Sequence, residues 1–127
     1  MLAFQKPNIT FYPTQQNHSE YKFSIVIPTW NNLAMLQLCV ESILKNSKYK
    51  HQIIIHVNEG SDRTYEWIKK QDFDYTYSPE NAGVCYAVNA MVTLAQTDYI
   101  LFLNDDMYVC PNWDEALNNE VHKQINQ

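Results

Sequence analysis

Phe23-Ser24-Ile25-Val26-Ile27-Pro28-Thr29-Trp30-Asn31-Asn32 is a short apolar run that breaks into a polar and aromatic loop. Proline has no N–H to give to a central strand, so the run predicts a strand that ends at Pro28. Asn31 or Asn32 is placed to cap a helix in which Leu33, Leu36, Val40, Ile43 and Leu44 recur at helical spacing, up to about Lys45. The alternation then repeats. Ile53-Ile54-Ile55-His56-Val57 is a second strand, rich in β-branched residues, followed by the turn Asn58-Glu59-Gly60-Ser61-Asp62 and a short helix from Thr64 to Lys70. Phe73 to Tyr77 is a third strand, ended by Ser78-Pro79, and Ala82 to Gln96 a helix with Val84, Val88, Val92 and Ala95 on one face. Asp98-Tyr99-Ile100-Leu101-Phe102-Leu103 is a fourth strand, and Asn112 with Glu115 makes a capping box for a last helix. Runs apolar throughout belong to strands covered on both faces. Strands alternating with helices therefore predict an α/β fold, a mostly parallel sheet flanked by helices.

In such sheets ligands gather beyond the carboxyl ends of the strands. The four loops expected there are polar and chemically capable: Pro28 to Asn32, Asn58 to Asp62, Pro79 to Gly83, and Asn104-Asp105-Asp106. The adjacent carboxylates of Asp105 and Asp106 repel unless a cation lies near. Hard oxygen ligands of this kind suit Mg²⁺ or Mn²⁺, with phosphate oxygens filling the remaining positions. The plainer alternative is a solvated acidic turn. Glu59 can accept a hydrogen bond from a ligand N–H such as a base imide; the alternative is an ordinary turn with Ser61 as helix cap. Trp30 can stack on a flat base or pack into the core. Gly83 opens the third helix, where a missing Cβ permits close approach and the helix N-terminus favours anions. The loop lacks the spacing of a Walker A motif or of G-x-G-x-x-G, which disfavours P-loop and dinucleotide readings. Asp62 and Arg63 read as solvent residues of a first helical turn.

Composition narrows the classes. The chain has 127 residues, 46% apolar and 18% charged, which fits one globular domain. Residues 1–22 read as an extended arm or lead-in and 23–127 as the domain. A net charge of −5 argues against nucleic-acid binding. No run of about 18 apolar residues suggests a transmembrane helix, and no apolar stretch behind a basic start suggests a signal peptide. Cys39, Cys85 and Cys110 are far apart without C-x-x-C spacing, so buried free thiols in a reducing compartment are expected. His51 and His56 fall on opposite faces of a strand, which disfavours a shared metal. The chain holds only two glycines, Gly60 and Gly83, where about 7% is average. Both lie in the expected ligand loops.

Four motifs, in order, resemble those of the family 2 glycosyltransferases of the GT-A fold. Ser24 to Asn32 is similar to the opening V-S-[VI]-I-P-[TV]-Y-N, and Val57-Asn58-Glu59-Gly60-Ser61 to V-[DN]-[DEN]-G-S. Asn81-Ala82-Gly83 with Ala87 and Asn89 is similar to N-x-G-x-x-x-A-x-N. Tyr99 to Asp106 is similar to the strand ending in a D-x-D-type motif, and Pro111-Asn112-Trp113 to the P-x-W that follows. The resemblance covers about residues 23–115. It implies a Rossmann-like GT-A domain that binds a nucleotide-diphosphosugar, usually a UDP-sugar, with a divalent metal, Mn²⁺ or Mg²⁺. By position it implies Trp30 stacking on the base, Pro28 lining it and Glu59 contacting it. It implies Asn81 and Gly83 lining the sugar-nucleotide pocket, Asp105 on the ribose or pyrophosphate side, and Asp106 as metal ligand.

Three positions depart from the pattern. Asn104 replaces the first Asp of D-x-D, Asn58-Glu59 replaces the commoner Asp-Asp or Asp-Asn, and Arg63 stands where an Asp often follows G-S. The general base expected of an inverting transferase belongs to a second, acceptor-binding half with no counterpart here. The chain therefore reads as a truncated, donor-binding half that alone transfers little sugar. The acceptor, a glycan, lipid or other molecule, is unassigned. The localisation implied is cytoplasmic, peripheral to a membrane in a longer protein. The alternative function is a non-catalytic nucleotide-binding or interaction module of the same fold. A flavodoxin-like phosphoacceptor is disfavoured because its acidic pair should end the first strand, not the fourth.

Overall fold

The computed structural model describes residues 5–14 and 20–125. Its elements are β1 (Thr10–Tyr12), β2 (Ser24–Trp30), α1 (Leu33–Asn46), β3 (Gln52–Asn58), α2 (Thr64–Lys69), β4 (Asp74–Ser78), α3 (Val84–Val92), β5 (Ile100–Phe102) and α4 (Trp113–Ile125). One sheet runs in the order β1-β4-β3-β2-β5. β4, β3, β2 and β5 are parallel, and β1 lies antiparallel on β4 at the edge. The lead-in thus contributes a strand. Residues 1–4 and 15–19 of the expected arm lie outside the described residues.

Alternation along β2 and β3 sorts the core. Ile25 and Ile27 of β2 and Ile53, Ile55 and Val57 of β3 face Leu36, Cys39, Val40 and Ile43 of α1 and Ile68 of α2. On the opposite face Val26 and Ile54 meet Ala87 and Met91 of α3. All seven residues of β3 are buried, the apolar Ile53, Ile54, Ile55 and Val57 as expected of a strand covered on both faces, and the polar Gln52, His56 and Asn58 with them.

Several expectations are corrected. β2 does not stop at Pro28 but continues to Trp30, with Pro28 opposite His56. The register explains the tolerance. Ser24 N–H donates to the Tyr99 carbonyl at 3.0 Å, so even-numbered residues of β2 face β5. β5 pairs only as far as Val26, so the N–H that Pro28 lacks would point where the neighbouring strand has ended. β5 itself is an edge strand of three residues, and Ile100 and Phe102 are exposed rather than covered. α3 is shorter than Ala82 to Gln96 and rotated from the expected face. It buries Ala87, Ala90 and Met91; of the expected face Val88 and Ala95 pack against that cluster, while Val84 and Val92 are exposed. In a helix apolar nearly all round, the small alanines allow the closer approach to the sheet. Leu44 of α1 is likewise exposed, with Cys39 and Ser42 buried in its place. Of the three thiols only Cys39 is buried; all are free.

The end of the sheet away from the strand carboxyl ends is pinned by α4. The Asp114 carboxylate accepts from the backbone N–H groups of Lys48 and Tyr49 and meets His51 Nε2, each at 2.8 Å. Phe23 N–H donates to His51 Nδ1 at 3.2 Å, so His51 carries its proton on Nε2. Glu115 pairs with Lys48 at 2.9 Å rather than reaching back as a capping box.

Candidate functional site

Because four neighbouring strands run parallel, their carboxyl ends open on one edge, and the loops after them gather there. Between them lies an open cleft of about 530 Å³, lined by Pro28, Trp30, Asn58, Asn81, Gly83 and Asp105, with Thr29, Asn31, Asn32 and Val84. Five of the seven residues singled out in the sequence (Pro28, Trp30, Asn81, Gly83 and Asp105) are thereby brought to one cavity. Trp30 is 56% exposed, so its indole is a ring at the cleft rather than a core side chain. Gly83 is the N-cap of α3 with φ 80° and ψ 159°, a conformation essentially confined to glycine.

Glu59 and Asp106 stand outside the lining. Glu59 Oε2 accepts from Asn31 Nδ2 at 2.8 Å and from the Ser61 hydroxyl. These two bonds, in that order of effect Ser61 then Asn31, outweigh burial and keep the Glu59 carboxyl below its ordinary value. Ser61 is therefore a partner of Glu59 and not a helix cap. Nor do Asn31 and Asn32 cap α1 with their side chains. That cap comes from Asp62, whose Oδ2 accepts from Leu33 N–H at 3.0 Å while Oδ1 accepts from Thr64 N–H at 3.1 Å. Asp62 is thus a bridge between two loops rather than a solvent residue, and Arg63, with φ 83°, is the N-cap of α2.

Asp105 is half-buried, and Thr29 Oγ1 donates to its Oδ2 at 2.8 Å. Asp106 beside it is exposed. No group of three or more His, Cys, Asp or Glu that could hold a metal occurs among the described residues. Asp105 lines the cleft and Asp106 follows it in the chain, so these carboxylates fit Mg²⁺ or Mn²⁺ only as a shared ion, completed by ligand phosphate oxygens and water. The loop is fixed from behind by Cys39, whose thiol donates to the Asn104 carbonyl at 3.6 Å. Burial, with the Asp105 carboxylate, pushes that thiol up to about 11, so it remains a donor.

Beneath the cleft runs a polar network that the sequence reading missed. Asn58 Oδ1 accepts from Ala82 N–H at 2.8 Å, and Asn58 Nδ2 donates to the Thr29 carbonyl at 3.2 Å. One buried amide therefore ties the β4–α3 loop to the end of β2. His56 Nε2 lies 3.2 Å from Asn58 Oδ1, and His56 Nδ1 lies 2.6 Å from Thr76 Oγ1. Since Asn58 Oδ1 only accepts, Nε2 carries the proton and Nδ1 accepts from Thr76. Burial, opposed by the bond to Asn58, pushes the His56 imidazole down to about 4. The sequence did carry a signal: His56 and Asn58 are polar residues inside and at the end of an otherwise apolar run, where each needs a partner. His51, bonded to Asp114, belongs to a separate place.

The sequence model of glycosyl transferase family 2 matches residues 24–124. An uncharacterized glycosyltransferase of Haemophilus influenzae is 30% identical over 109 residues, covering 81% of this chain and 40% of that protein. The hyaluronan synthase of Pasteurella multocida is 32% identical over 107 residues, covering 79% of this chain and 11% of that protein. Among solved structures, S. aureus TarS 1–349 in complex with UDP superposes with a TM-score of 0.70 at 17% identity, covering 80% of this chain and 32% of that one. The chain thus spans about two fifths or less of the relatives it matches. No helix of the described residues is long and apolar enough to cross a membrane.

Proposed function

Because the chain belongs to glycosyl transferase family 2, we propose that it forms the donor-binding part of a glycosyltransferase, holding a nucleotide-diphosphosugar, a UDP-sugar, in the cleft at the strand carboxyl ends. The observation that carries this reading is the convergence of Pro28, Trp30, Asn81, Gly83 and Asp105 on one cavity. Trp30 stacks on the base and Pro28 lines it. Glu59, just behind the lining, accepts a base N–H. Asn81 and Gly83 border the diphosphosugar, where the α3 N-terminus favours negative charge. Asp105, held by Thr29, faces the ribose or pyrophosphate, and Asp106 is the metal ligand. A bound Mg²⁺ or Mn²⁺ would neutralise charge on the departing diphosphate. The TarS structures in complex with UDP and with UDP-GlcNAc support a donor of this class. The exposed free thiols Cys85 and Cys110 support a reducing, cytoplasmic setting. The acceptor and the general base are unassigned.

Calorimetric titration of UDP with and without Mn²⁺ tests the reading. The expected result is binding strengthened by Mn²⁺, an enhancement abolished in Asp106→Ala. Absence of binding, or binding indifferent to both metal and substitution, would overturn it.

A further inference from the structure

Two non-glycine residues with left-handed backbones meet at the rim of the cleft, Asn31 (φ 45°) on the β2 loop and Glu59 (φ 62°) on the β3 loop. Asparagine visits this region with little strain; glutamate does so less readily and needs surroundings that hold it. Those surroundings are specific. Glu59 N–H donates to the Ser78 carbonyl at 2.8 Å, which fixes its backbone. Asn31 Nδ2 donates to Glu59 Oε2 at 2.8 Å and lies 3.3 Å from Ser61 Oγ, and Ser61 donates to the same carboxylate oxygen. Asn31 is therefore the side chain of the β2 loop that reaches the Glu59 carboxylate. It approaches with an N–H, so the Glu59 side chain is met only by donors. Its carboxylate is left as an oriented acceptor with Oε1 available to a ligand.

We propose that Asn31 is the positioning residue that sets which nucleobase the cleft accepts, by holding Glu59 as a fixed hydrogen-bond acceptor. The inference rests on the nucleotide-binding reading of the cleft. Chemistry then selects the base. An ionised carboxylate accepts and cannot donate. Uracil presents an imide N–H, whereas cytosine presents a ring lone pair at the same position and would face the carboxylate with like polarity. Without Asn31, Glu59 keeps only the Ser61 bond from its own loop and loses its tie to the loop that carries Trp30, so its carboxylate is no longer fixed relative to the base and the discrimination fades.

The test compares binding of UDP and CDP, in the presence of Mn²⁺, to the unmodified chain, Asn31→Gly and Asn31→Asp. Asn31→Gly removes the donor while keeping a residue at ease with positive φ. Asn31→Asp keeps the shape but turns a like charge towards Glu59. The unmodified chain is expected to prefer UDP by roughly tenfold or more, as for a hydrogen bond to a charged group. Both variants should bring that ratio close to one. A merely structural role would weaken UDP and CDP together and leave the ratio unchanged, and that result overturns the proposal. Equal binding of UDP and CDP by the unmodified chain also overturns it while leaving the nucleotide reading standing. Binding of neither nucleotide overturns both.

Discussion

A Cβ added at Gly60 would lie 2.8 Å from Val57 Cγ1 and 2.9 Å from both the Cβ and the backbone N of Tyr65, at φ +70°. Those neighbours are a core side chain and a helix backbone, which cannot step aside cheaply. At Gly83 nothing lies within 4 Å, but φ is +80° and ψ 159°. The two glycines are therefore required for different reasons, one by packing and backbone, the other by backbone alone. Gly60→Ala is expected to destabilise the fold by about 2–4 kcal/mol, combining left-handed strain with overpacking. Gly83→Ala should cost about 1–3 kcal/mol, relieved in part by local movement of the open loop, so its larger effect is weaker UDP binding. Urea unfolding of both variants, beside UDP titration, separates the cases; equal unfolding midpoints would contradict the packing argument at Gly60. Glycine scarcity in the sequence pointed to both residues. It could not separate them, because the atoms around Gly60 include Tyr65, whose approach depends on where α2 packs.

Among the elements, the start of α1 depends on a residue outside it. Asp62 accepts from Leu33 N–H, and also from Thr64 N–H and the Thr64 hydroxyl. Burial works against its charge, but the bonds from Thr64 and Leu33 together outweigh it and hold the carboxyl below its ordinary value. Asp62→Ala should destabilise the protein by about 1–2 kcal/mol, the usual range for a lost N-cap. Amide exchange at Leu33 should rise more than in the middle of α1; protection unchanged at Leu33 would contradict the cap. The sequence showed the central strands and the helices, because Ile53-Ile54-Ile55 is an apolar β-branched run and α1 keeps its period, but not the edge strand β1. It could not show a cap supplied from 29 residues away. Nor could it show that β5 stops early enough for Pro28 to remain inside β2. The same limit applied to the site. Trp30, Asn81 and Asp105 were legible because each follows a recognisable strand. Thr29, Asn31 and Asn58 act through partners on other loops and Ser61 through Glu59 on its own, whereas local pattern assigns Asn31 and Ser61 to caps.

Across the whole molecule, two buried histidines stand at opposite ends of the sheet, His56 under the cleft and His51 against α4. Both are held neutral. Burial lowers the His51 imidazole despite the opposing Asp114 carboxylate, and burial pushes His56 down to about 4 from an ordinary 6.5. As pH falls below 6.5 the unfolded chain takes up protons at these positions before the folded one does. Stability from both is therefore complete above that pH and is lost as pH falls below it, for His56 down towards 4. For His56 alone the loss amounts to about 3 kcal/mol, at 1.36 kcal/mol for each pH unit between the two values. Asp114 acts lower. Burial opposes its charge, but the Lys48, Tyr49 and His51 bonds hold its carboxyl below 3.8, so its contribution persists through the histidine window and disappears beneath it. The expected outcome is a steep fall in urea-unfolding free energy between pH 6.5 and 4. His56→Gln should be less stable than the unmodified chain at pH 7 yet show a markedly flatter fall. An unchanged slope would refute the assignment to His56. Since His56 donates to Asn58, and Asn58 ties Ala82 to Thr29, the UDP affinity of the folded protein should hold down to about pH 5 and decline only as pH nears 4, where folded His56 takes up its proton, and less so in His56→Gln.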